Sequence, residues 1–151
     1  MRYFLDCEYD GFGGALLSLA LVPEDHGEEF YVILAHERPL TDWVERNVAP
    51  YLDHVPVGLQ GPPLEREQAA ILLSAWLAGL PEVEIVADWP EDIALFCSLL
   101  TIANGRMVPV PALTFRLVML PGFSTARNSA VPHNALHDAR SLRDHVLSHL
   151  E

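Results

Sequence analysis

Two acidic side chains interrupt the apolar segment with which the chain begins. In MRYFLDCEYDG, Asp6 and Glu8 stand two positions apart in what otherwise has the pattern of a buried strand. Because side chains alternate between the faces of a strand, both carboxylates project to the same side, about 7 Å apart at their backbones. An ionised carboxylate away from water is costly unless a positive charge compensates it. The pair therefore predicts either a solvated strand face or a site for a hard cation such as Mg²⁺, which prefers oxygen ligands.

A second acidic group lies in ADWPEDIALF, where a β-branched segment gives way to a helix beginning near Pro90. Asp88 and Glu91 are three positions apart, the spacing of a helix cap and its reciprocal partner, so we expect a structural role for them. Asp92 lies in the first turn, where the helix dipole favours an acid and a carboxylate can reach the carboxyl end of the preceding strand. Asp92 is the candidate ligand here. The alternative for Asp92 is an ordinary first-turn acid.

The third group is PHNALHDARSL, at the start of the last predicted helix. Asp138 has apolar neighbours on this helix, so its side chain is expected to face the core at least in part. His133 precedes it by five residues, at or before the helix start, and an imidazole titrates near neutrality. A surface or capping role is the alternative for His133, and it is the role expected for His137 and His145.

Together these residues are what two-metal hydrolysis of a phosphodiester requires. One ion lowers the pKa of a water molecule, and the second stabilises the leaving oxygen. A histidine such as His133 can accept the proton of that water. The four candidate ligands are Asp6, Glu8, Asp92 and Asp138.

The elements that must position these residues follow from the apolar periodicity. Strands are predicted over 2–9, 15–22 and 28–36, and the GFGG turn and a polar loop join them into an antiparallel meander. Four helices are predicted, and Pro50 should shorten the first of them. They span 41–55, 64–80, 89–105 and 133–150. The first has an apolar stripe of Trp43, Val44, Val48, Tyr51, Leu52 and Val55, and the last has one of Ala135, Leu142, Val146 and Leu150.

Two further strands are predicted between these helices, over 83–88 and within 112–120, and 120–132 is predicted to be a loop. Three antiparallel strands followed by alternating helices and strands indicate the α/β class, with a mixed sheet flanked by helices. At 151 residues the chain is expected to form a single domain, 1–151.

The composition restricts the partners. All nine basic residues are arginines, and 21 acids leave a formal charge of −12, which argues against non-specific binding of long nucleic acid. There is neither an apolar run of about 20 residues nor a signal peptide, so we expect a cytoplasmic protein with no membrane partner. Cys7 and Cys97 have no metal-ligand spacing and lie in apolar runs, which predicts buried free thiols.

Three motifs resemble those of the DEDDh (DnaQ-like) 3'-to-5' exonuclease superfamily, in order and in spacing. They are DCE in the first strand, WPED at a strand-to-helix junction and HNALHDA at the start of the last helix. The pattern of the third motif, HxAxxDA, is the most specific of the three. The resemblance covers nearly the whole chain and is greatest to the small bacterial exoribonucleases, such as ribonuclease T and oligoribonuclease. It implies a ribonuclease H-like fold and two Mg²⁺ or Mn²⁺ ions held by four acids.

The resemblance also assigns roles. It places Asp6 and Glu8 in the first motif, Asp92 in the second, and His133, as general base, with Asp138 in the third. These five residues are then the catalytic set, and the four acids are the metal ligands. Relatives of this kind are often dimers, so a homodimer is expected by resemblance.

The chain departs from the family pattern at two places. Many relatives follow the first Glu with threonines that touch the terminal nucleotide, whereas here Tyr9 and Phe12 follow it; these aromatic rings can bind substrate by stacking on a base or can pack in the core. The second motif commonly has an Asn-containing stretch before its Asp, and this chain has Asp88-Trp89-Pro90-Glu91 there. Asp88 therefore stays a second candidate for the ligand assigned to Asp92.

The sequence favours a metal-dependent 3'-to-5' exonuclease acting on short single-stranded ends, of RNA more than of DNA. The products would be nucleoside monophosphates, and Arg116, Arg127 or Arg140 could contact phosphate. One alternative is a non-catalytic ribonuclease H-like domain that binds a protein partner. Another is an unrelated acidic α/β protein whose carboxylates are caps and surface groups.

Overall fold

The computed structural model describes residues 1–149, so the predicted helical position Leu150 and the last residue, Glu151, lie outside the described residues. The strands are β1 (Arg2–Tyr9), β2 (Leu16–Pro23), β3 (Phe30–Ile33), β4 (Glu82–Ala87), β5 (Thr101–Ala103), β6 (Arg106–Met107) and β7 (Ala112–Leu117). The α-helices are α1 (Asp42–Asn47), α2 (Arg66–Leu77), α3 (Pro90–Leu100), α4 (Thr125–Asn128) and α5 (Ala135–His149), and 3₁₀ turns span Ala49–Tyr51 and Val57–Leu59.

Five strands form one sheet in the order β3-β2-β1-β4-β7. β1 pairs antiparallel with β2, which pairs antiparallel with β3, whereas β4 pairs parallel with both β1 and β7. The α/β class and the mixed sheet predicted from the sequence are therefore confirmed. Since β1 and β4 run the same way, their carboxyl ends meet at one edge of the sheet, where ligands of α/β proteins bind.

The two faces of β1 pack against different helices. Leu5 and Cys7 belong to the core shared with α2 and α3, while Phe4 packs with Leu142 of α5. Alternation along the strand then places Asp6 and Glu8 on the face of Phe4, toward α5. The same-face arrangement predicted for the two acids follows directly from this packing.

The helix predicted over 41–55 is shorter than expected. α1 ends at Asn47 and a 3₁₀ turn containing Pro50 follows, because a proline inside an α-helix removes a hydrogen bond and clashes with the preceding turn. Val44 and Val48 of the predicted apolar stripe are buried, but Trp43 is half-exposed.

The prediction of a helix through residue 105 is wrong. α3 ends at Leu100, and β5 and β6 form a small hairpin in which Ala103 pairs with Arg106. The sequence of the turn explains this: Asn104-Gly105 is a strong two-residue hairpin signal, and Gly105 has a φ of +67°.

The loop predicted over 120–132 contains the short helix α4, whose N-cap Ser124 accepts a hydrogen bond from the Arg127 N–H. The longest described helix, α5, has 15 residues. Within residues 1–149, no helix is long and apolar enough to cross a membrane.

The two cysteines differ in environment. Cys7 is buried, as predicted, but Cys97 is exposed on α3, so the prediction of a second buried thiol is wrong. The apolar run around Cys97 belongs to an amphipathic helix, in which Phe96 and Leu100 face the core and position 97 does not.

Candidate metal centre

A cleft of about 520 Å³ opens at the carboxyl ends of β1 and β4. Glu8 is the penultimate residue of β1, and Asp88 directly follows the last residue of β4. Acidic and aromatic side chains line the cleft, and among the described residues no arginine does. The acids are Asp6, Glu8, Asp88, Glu91, Asp92 and Asp138, with Tyr9, Phe12, Trp43, Trp89 and His133 as the rings.

Asp6, Asp88 and Asp92 form the first acidic group of the cleft. One carboxylate oxygen from each lies within 4.8 Å of the other two. Asp6 and Asp92 are buried, and Asp88 is half-buried. The structure thus brings together both candidates from the second motif rather than choosing between them.

The predicted capping role of Asp88 is wrong. α3 begins at Pro90, so its N-cap position is Trp89, and no side chain caps the helix. Asp88 therefore stands one residue too early to cap, while its position directly after β4 brings it beside Asp6 and Asp92. Its predicted partner Glu91 instead accepts a hydrogen bond from the Trp89 indole at 3.3 Å.

Glu8, His133 and Asp138 form the second group. A His133 ring nitrogen and one oxygen from each carboxylate lie within 4.8 Å of one another. Asp138 is buried in the first turn of α5, and its Oδ2 accepts a hydrogen bond from the His133 backbone N–H at 3.2 Å. His133 precedes α5 in the left-handed region, with a φ of +61°. All five residues of the predicted catalytic set thus line one cleft.

Asn134, which the sequence reasoning did not single out, fixes the start of α5. Its Oδ1 accepts hydrogen bonds from the Leu136 and His137 N–H groups at 3.1 and 3.4 Å, and its Nδ2 donates to the Tyr51 carbonyl at 2.8 Å. The available signal was an Asn directly before an apolar-periodic helix, a favoured N-cap. By capping α5, Asn134 fixes the backbone that carries His133, just before the helix, and Asp138, in its first turn.

Burial and mutual repulsion raise the pKa values of the acids. Burial raises the pKa of Glu8 and of Asp92 to about 8, helped by neighbouring carboxylates, and that of Asp138 to about 6. The pKa of Asp6 lies well above its ordinary value for the same two reasons. Burial also raises the pKa of Asp88. Without a compensating cation, several of these groups retain a proton at neutral pH.

Two buried carboxylate oxygens have no hydrogen-bond partner within residues 1–149, Oδ2 of Asp6 and Oδ1 of Asp138. Buried polar atoms are otherwise nearly always satisfied. Since the donor set is carboxylate oxygen with one imidazole, it suits Mg²⁺ or Mn²⁺. The residues present therefore fit divalent cations of the kind that the sequence predicts.

The aromatic rings divide between the wall and the rim of the cleft. Tyr9 packs partly against the core, and hydrogen bonding of its side chain to Glu91 lowers the pKa of that acid. Phe12 is 99% exposed, so packing in the core is ruled out for it, and stacking on a base stays a prediction. Trp43, predicted to lie on an apolar stripe, and Trp89, from the second motif, also line the cleft and are 50% and 56% exposed.

The three candidate phosphate contacts have different surroundings. Arg140 forms two hydrogen bonds with Glu29, at 2.7 and 2.6 Å, which is a structural ion pair. Arg116 lies on β7. Arg127 is exposed on α4, where the preceding residues Thr125 and Ala126 line the cleft.

A comparison with the sequence profiles of known protein families finds no family that matches this chain, and a search of curated proteins finds no match either. What the chain does is therefore inferred from its motifs and from the cleft.

Proposed function

We propose that this chain is a divalent-metal-dependent 3'-to-5' exonuclease that hydrolyses the terminal phosphodiester of short single-stranded ends, of RNA more than of DNA. The observation that carries the proposal is the convergence of five carboxylates and His133 in one cleft, with buried oxygens of Asp6 and Asp138 left without a partner. A protein gains nothing in stability from such an arrangement, since each uncompensated buried acid costs free energy. A bound divalent cation would offset the negative charge of these carboxylates and so account for their arrangement.

The fold and the motifs support the same function. The sheet order β3-β2-β1-β4-β7, antiparallel on one side of β1 and parallel on the other, is compatible with a ribonuclease H-like layout. The three segments that resemble the DEDDh motifs are also the three segments that meet in the cleft. We infer a ribonuclease H-like fold from this agreement between motif order and geometry.

The carboxylates are the residues that would hold two Mg²⁺ or Mn²⁺ ions. Asp6, Glu8, Asp92 and Asp138 are the predicted ligands, and Asp88 joins them because its oxygen lies within 4.8 Å of those of Asp6 and Asp92. Divalent ions, when bound, lower the pKa of a water molecule and offset the charge that develops on the leaving oxygen.

His133 is the candidate general base. Its ring nitrogen lies within 4.8 Å of carboxylate oxygens of Glu8 and Asp138, so it faces the place where a water molecule would be activated. Accepting the proton allows the water oxygen to bond to phosphorus while the bond from phosphorus to the 3' oxygen breaks, and the released 3' oxygen takes up a proton from solvent. The products are a nucleoside 5'-monophosphate and a strand shortened by one nucleotide with a free 3' hydroxyl.

The exposed rings favour a single-stranded substrate. Phe12 and Trp89 line the same cleft as the acids and keep more than half of their surface exposed. Unpaired bases can stack on such rings at about 1–3 kcal/mol per base, whereas the bases of a duplex are already stacked on one another.

A digestion assay tests the proposed function. We expect purified chain with Mn²⁺ or Mg²⁺ to release monophosphates from the 3' end of a 5'-labelled pentanucleotide, and EDTA to stop the reaction. Asp138→Asn should abolish the activity while the fold, followed by circular dichroism, persists. Asp53→Asn is the matched control, since that carboxylate is 80% exposed and does not line the cleft. If both metals leave RNA and DNA oligonucleotides intact, the proposal fails and a non-catalytic domain is favoured.

A further inference from the structure

We propose that Trp43, tied to the end of β1 through Thr41 and Asp10, is a positioning residue for the imidazole of His133. This inference rests on the function proposed above, because it concerns the general base of that reaction. It gives a role to an indole that lines the cleft but belongs to none of the three motifs.

The two rings are in direct contact. Their centroids lie 4.8 Å apart with an interplanar angle of 81°, an edge-to-face arrangement that aromatic rings favour. The His133 backbone is held separately, by the hydrogen bond from its N–H to Asp138. Among the described residues, no hydrogen bond holds the ring itself, so Trp43 is what restricts its rotation.

Hydrogen bonds at both ends of α1 hold the backbone around Trp43 in place. Oδ1 of Asp10 accepts hydrogen bonds from the Thr41 N–H at 2.8 Å and from the Thr41 hydroxyl at 3.0 Å. At the other end of the helix, Asn47 Nδ2 donates to the Trp43 carbonyl at 2.8 Å. A helix of six residues depends on such ties, because isolated short helices are marginal in water.

The arrangement connects two segments that meet in the cleft. Asp10 directly follows β1, the strand that carries Glu8, and His133, just before α5, has a ring nitrogen within 4.8 Å of a Glu8 carboxylate oxygen. The contacts from Asp10 through Thr41 and Trp43 therefore set the distance between the ligand strand and the base. Trp43 itself is half-exposed at the cleft, where its ring meets that of His133.

Replacement of the indole tests the contact. We expect Trp43→Leu to lower kcat about tenfold with little change in KM, since the base loses its preferred orientation. Trp43→Phe, which keeps an aromatic ring, should restore most of kcat. Mn²⁺ affinity, measured by calorimetry, should stay the same in both variants.

A second readout does not depend on activity. In the metal-free protein, the ring protons of His133 should be shifted by the neighbouring indole in NMR spectra. Trp43→Leu should remove that shift and broaden the signals, because the ring then samples several orientations. Unchanged His133 signals in Trp43→Leu would overturn the proposal.

Asp10 gives a variant that keeps the indole. We expect Asp10→Ala to lower kcat roughly threefold, in the same direction as Trp43→Leu. Asp25→Ala is the matched control: Asp25 Oδ1 accepts one backbone hydrogen bond, from Gly27 at 3.0 Å, in an exposed turn outside the cleft. If Trp43→Leu fails to fold, the kcat of Asp10→Ala and the His133 ring-proton signals of that variant test the proposal instead.

The possible outcomes are distinct. A raised KM with unchanged kcat in Trp43→Leu would mean that the indole binds a base of the substrate, and the positioning role would be wrong. An equal loss of kcat in Trp43→Phe and Trp43→Leu would also contradict it. A wild-type chain that hydrolyses nothing refutes the proposed function, and the NMR signals then still decide whether Trp43 holds the His133 ring.

Discussion

At the scale of single residues, the cleft concentrates negative charge where water has little access. Asp92 is only 3% exposed, and Asp6 and Asp138 are also buried. Because no arginine lines the cleft among the described residues, the raised pKa values are not offset by a neighbouring cation of the protein. Folding of the metal-free chain therefore favours protonated carboxyls.

The stability of the metal-free protein should consequently fall as the pH rises. A carboxyl whose pKa is raised in the folded state binds a proton that the unfolded chain has already lost, so the free energy of unfolding decreases with pH across that interval. For Glu8 and Asp92 the interval runs from about pH 4, their ordinary pKa range, to about pH 8. Thermal melts in EDTA should show Tm falling from pH 5 to pH 8.

Added Mn²⁺ should reverse this trend. An ion that binds only the folded state raises its stability by mass action, and the carboxylates compete with protons for it. The rise in Tm should therefore be larger at pH 8 than at pH 5. A metal-free Tm that increases toward pH 8 would contradict the burial of these acids.

The imidazole of His133 should matter for rate more than for metal binding. We expect His133→Ala to lower kcat by about 10²–10⁴-fold, the usual contribution of a positioned general base, while calorimetry shows a far smaller change in Mn²⁺ affinity. His137→Ala is the control, because that side chain lies four residues away and its ring contacts the His54 carbonyl outside the cleft. Equal effects of the two substitutions would exclude a special role for His133.

The sequence indicated most of this site, for a physical reason. Alternation in β1 fixes the common face of Asp6 and Glu8, and the first-turn positions of Asp92 and Asp138 follow from helix starts that are legible in the sequence. The position of Asp88 in the cleft could not be predicted, because the sequence does not fix the helix start to within one residue. With α3 beginning at Pro90, the N-cap is Trp89, and Asp88 lines the cleft instead of capping the helix. Trp43 was assigned to an apolar stripe, since periodicity cannot distinguish a core ring from one at a rim.

At the scale of elements, the start of α5 carries the third motif and should be sensitive to its cap. Asn134→Ala removes the cap and one of the two hydrogen bonds that the Tyr51 carbonyl accepts, the other coming from the His54 N–H, at a combined cost of about 2 kcal/mol. For a chain of 151 residues this corresponds to a drop in Tm of roughly 4–8 °C.

The control for this substitution is Asn128→Ala on α4. Asn128 Nδ2 donates to the Ser124 carbonyl at 2.8 Å, but the residue is exposed and water can replace that bond. Thermal melts of the two variants should therefore differ clearly. A loss in Asn134→Ala no greater than in Asn128→Ala would show that α5 does not depend on its cap.

Elements were predicted well where a single periodicity dominates. β1 and β2 have nearly their predicted bounds, since each is an apolar strand ended by turn formers. The errors occur where two signals compete, as at Leu100, where an apolar helical run continues into Thr101 and Ile102 and the Asn-Gly turn determines the outcome. The third strand is limited to Phe30–Ile33, shorter than the predicted 28–36, and its ladder with β2 spans those four residues.

At the scale of the whole molecule, the net charge of −12 is unevenly distributed along the chain. No Asp or Glu occurs from residue 93 to residue 137, and this stretch contains Arg106, Arg116 and Arg127. Under the proposed function, this acid-free stretch, which borders the cleft at α4, would be where the phosphates of a strand approach an otherwise acidic protein. The overall charge would then limit non-specific binding without preventing the capture of a short strand.

Arg127→Ala should weaken the binding of oligonucleotides. We expect KM to rise about fivefold, corresponding to about 1 kcal/mol. The slope of log(kcat/KM) against log salt should become shallower by about 0.7, as expected when one phosphate contact to a single strand is lost. Arg106→Ala is the control, an exposed arginine of the same stretch at the β5–β6 hairpin. Identical salt slopes for Arg127→Ala and the wild type would contradict the contact.

The unequal environments of the two thiols have a practical consequence. Cys97 is exposed on α3 while Cys7 is buried, so a maleimide dye should attach to the folded chain at one position, with a mass increase of one label per molecule. The labelled helix also carries Asp92 at its first turn. A fluorophore at Cys97 therefore offers an optical reporter of events in the cleft, installed without altering a single residue.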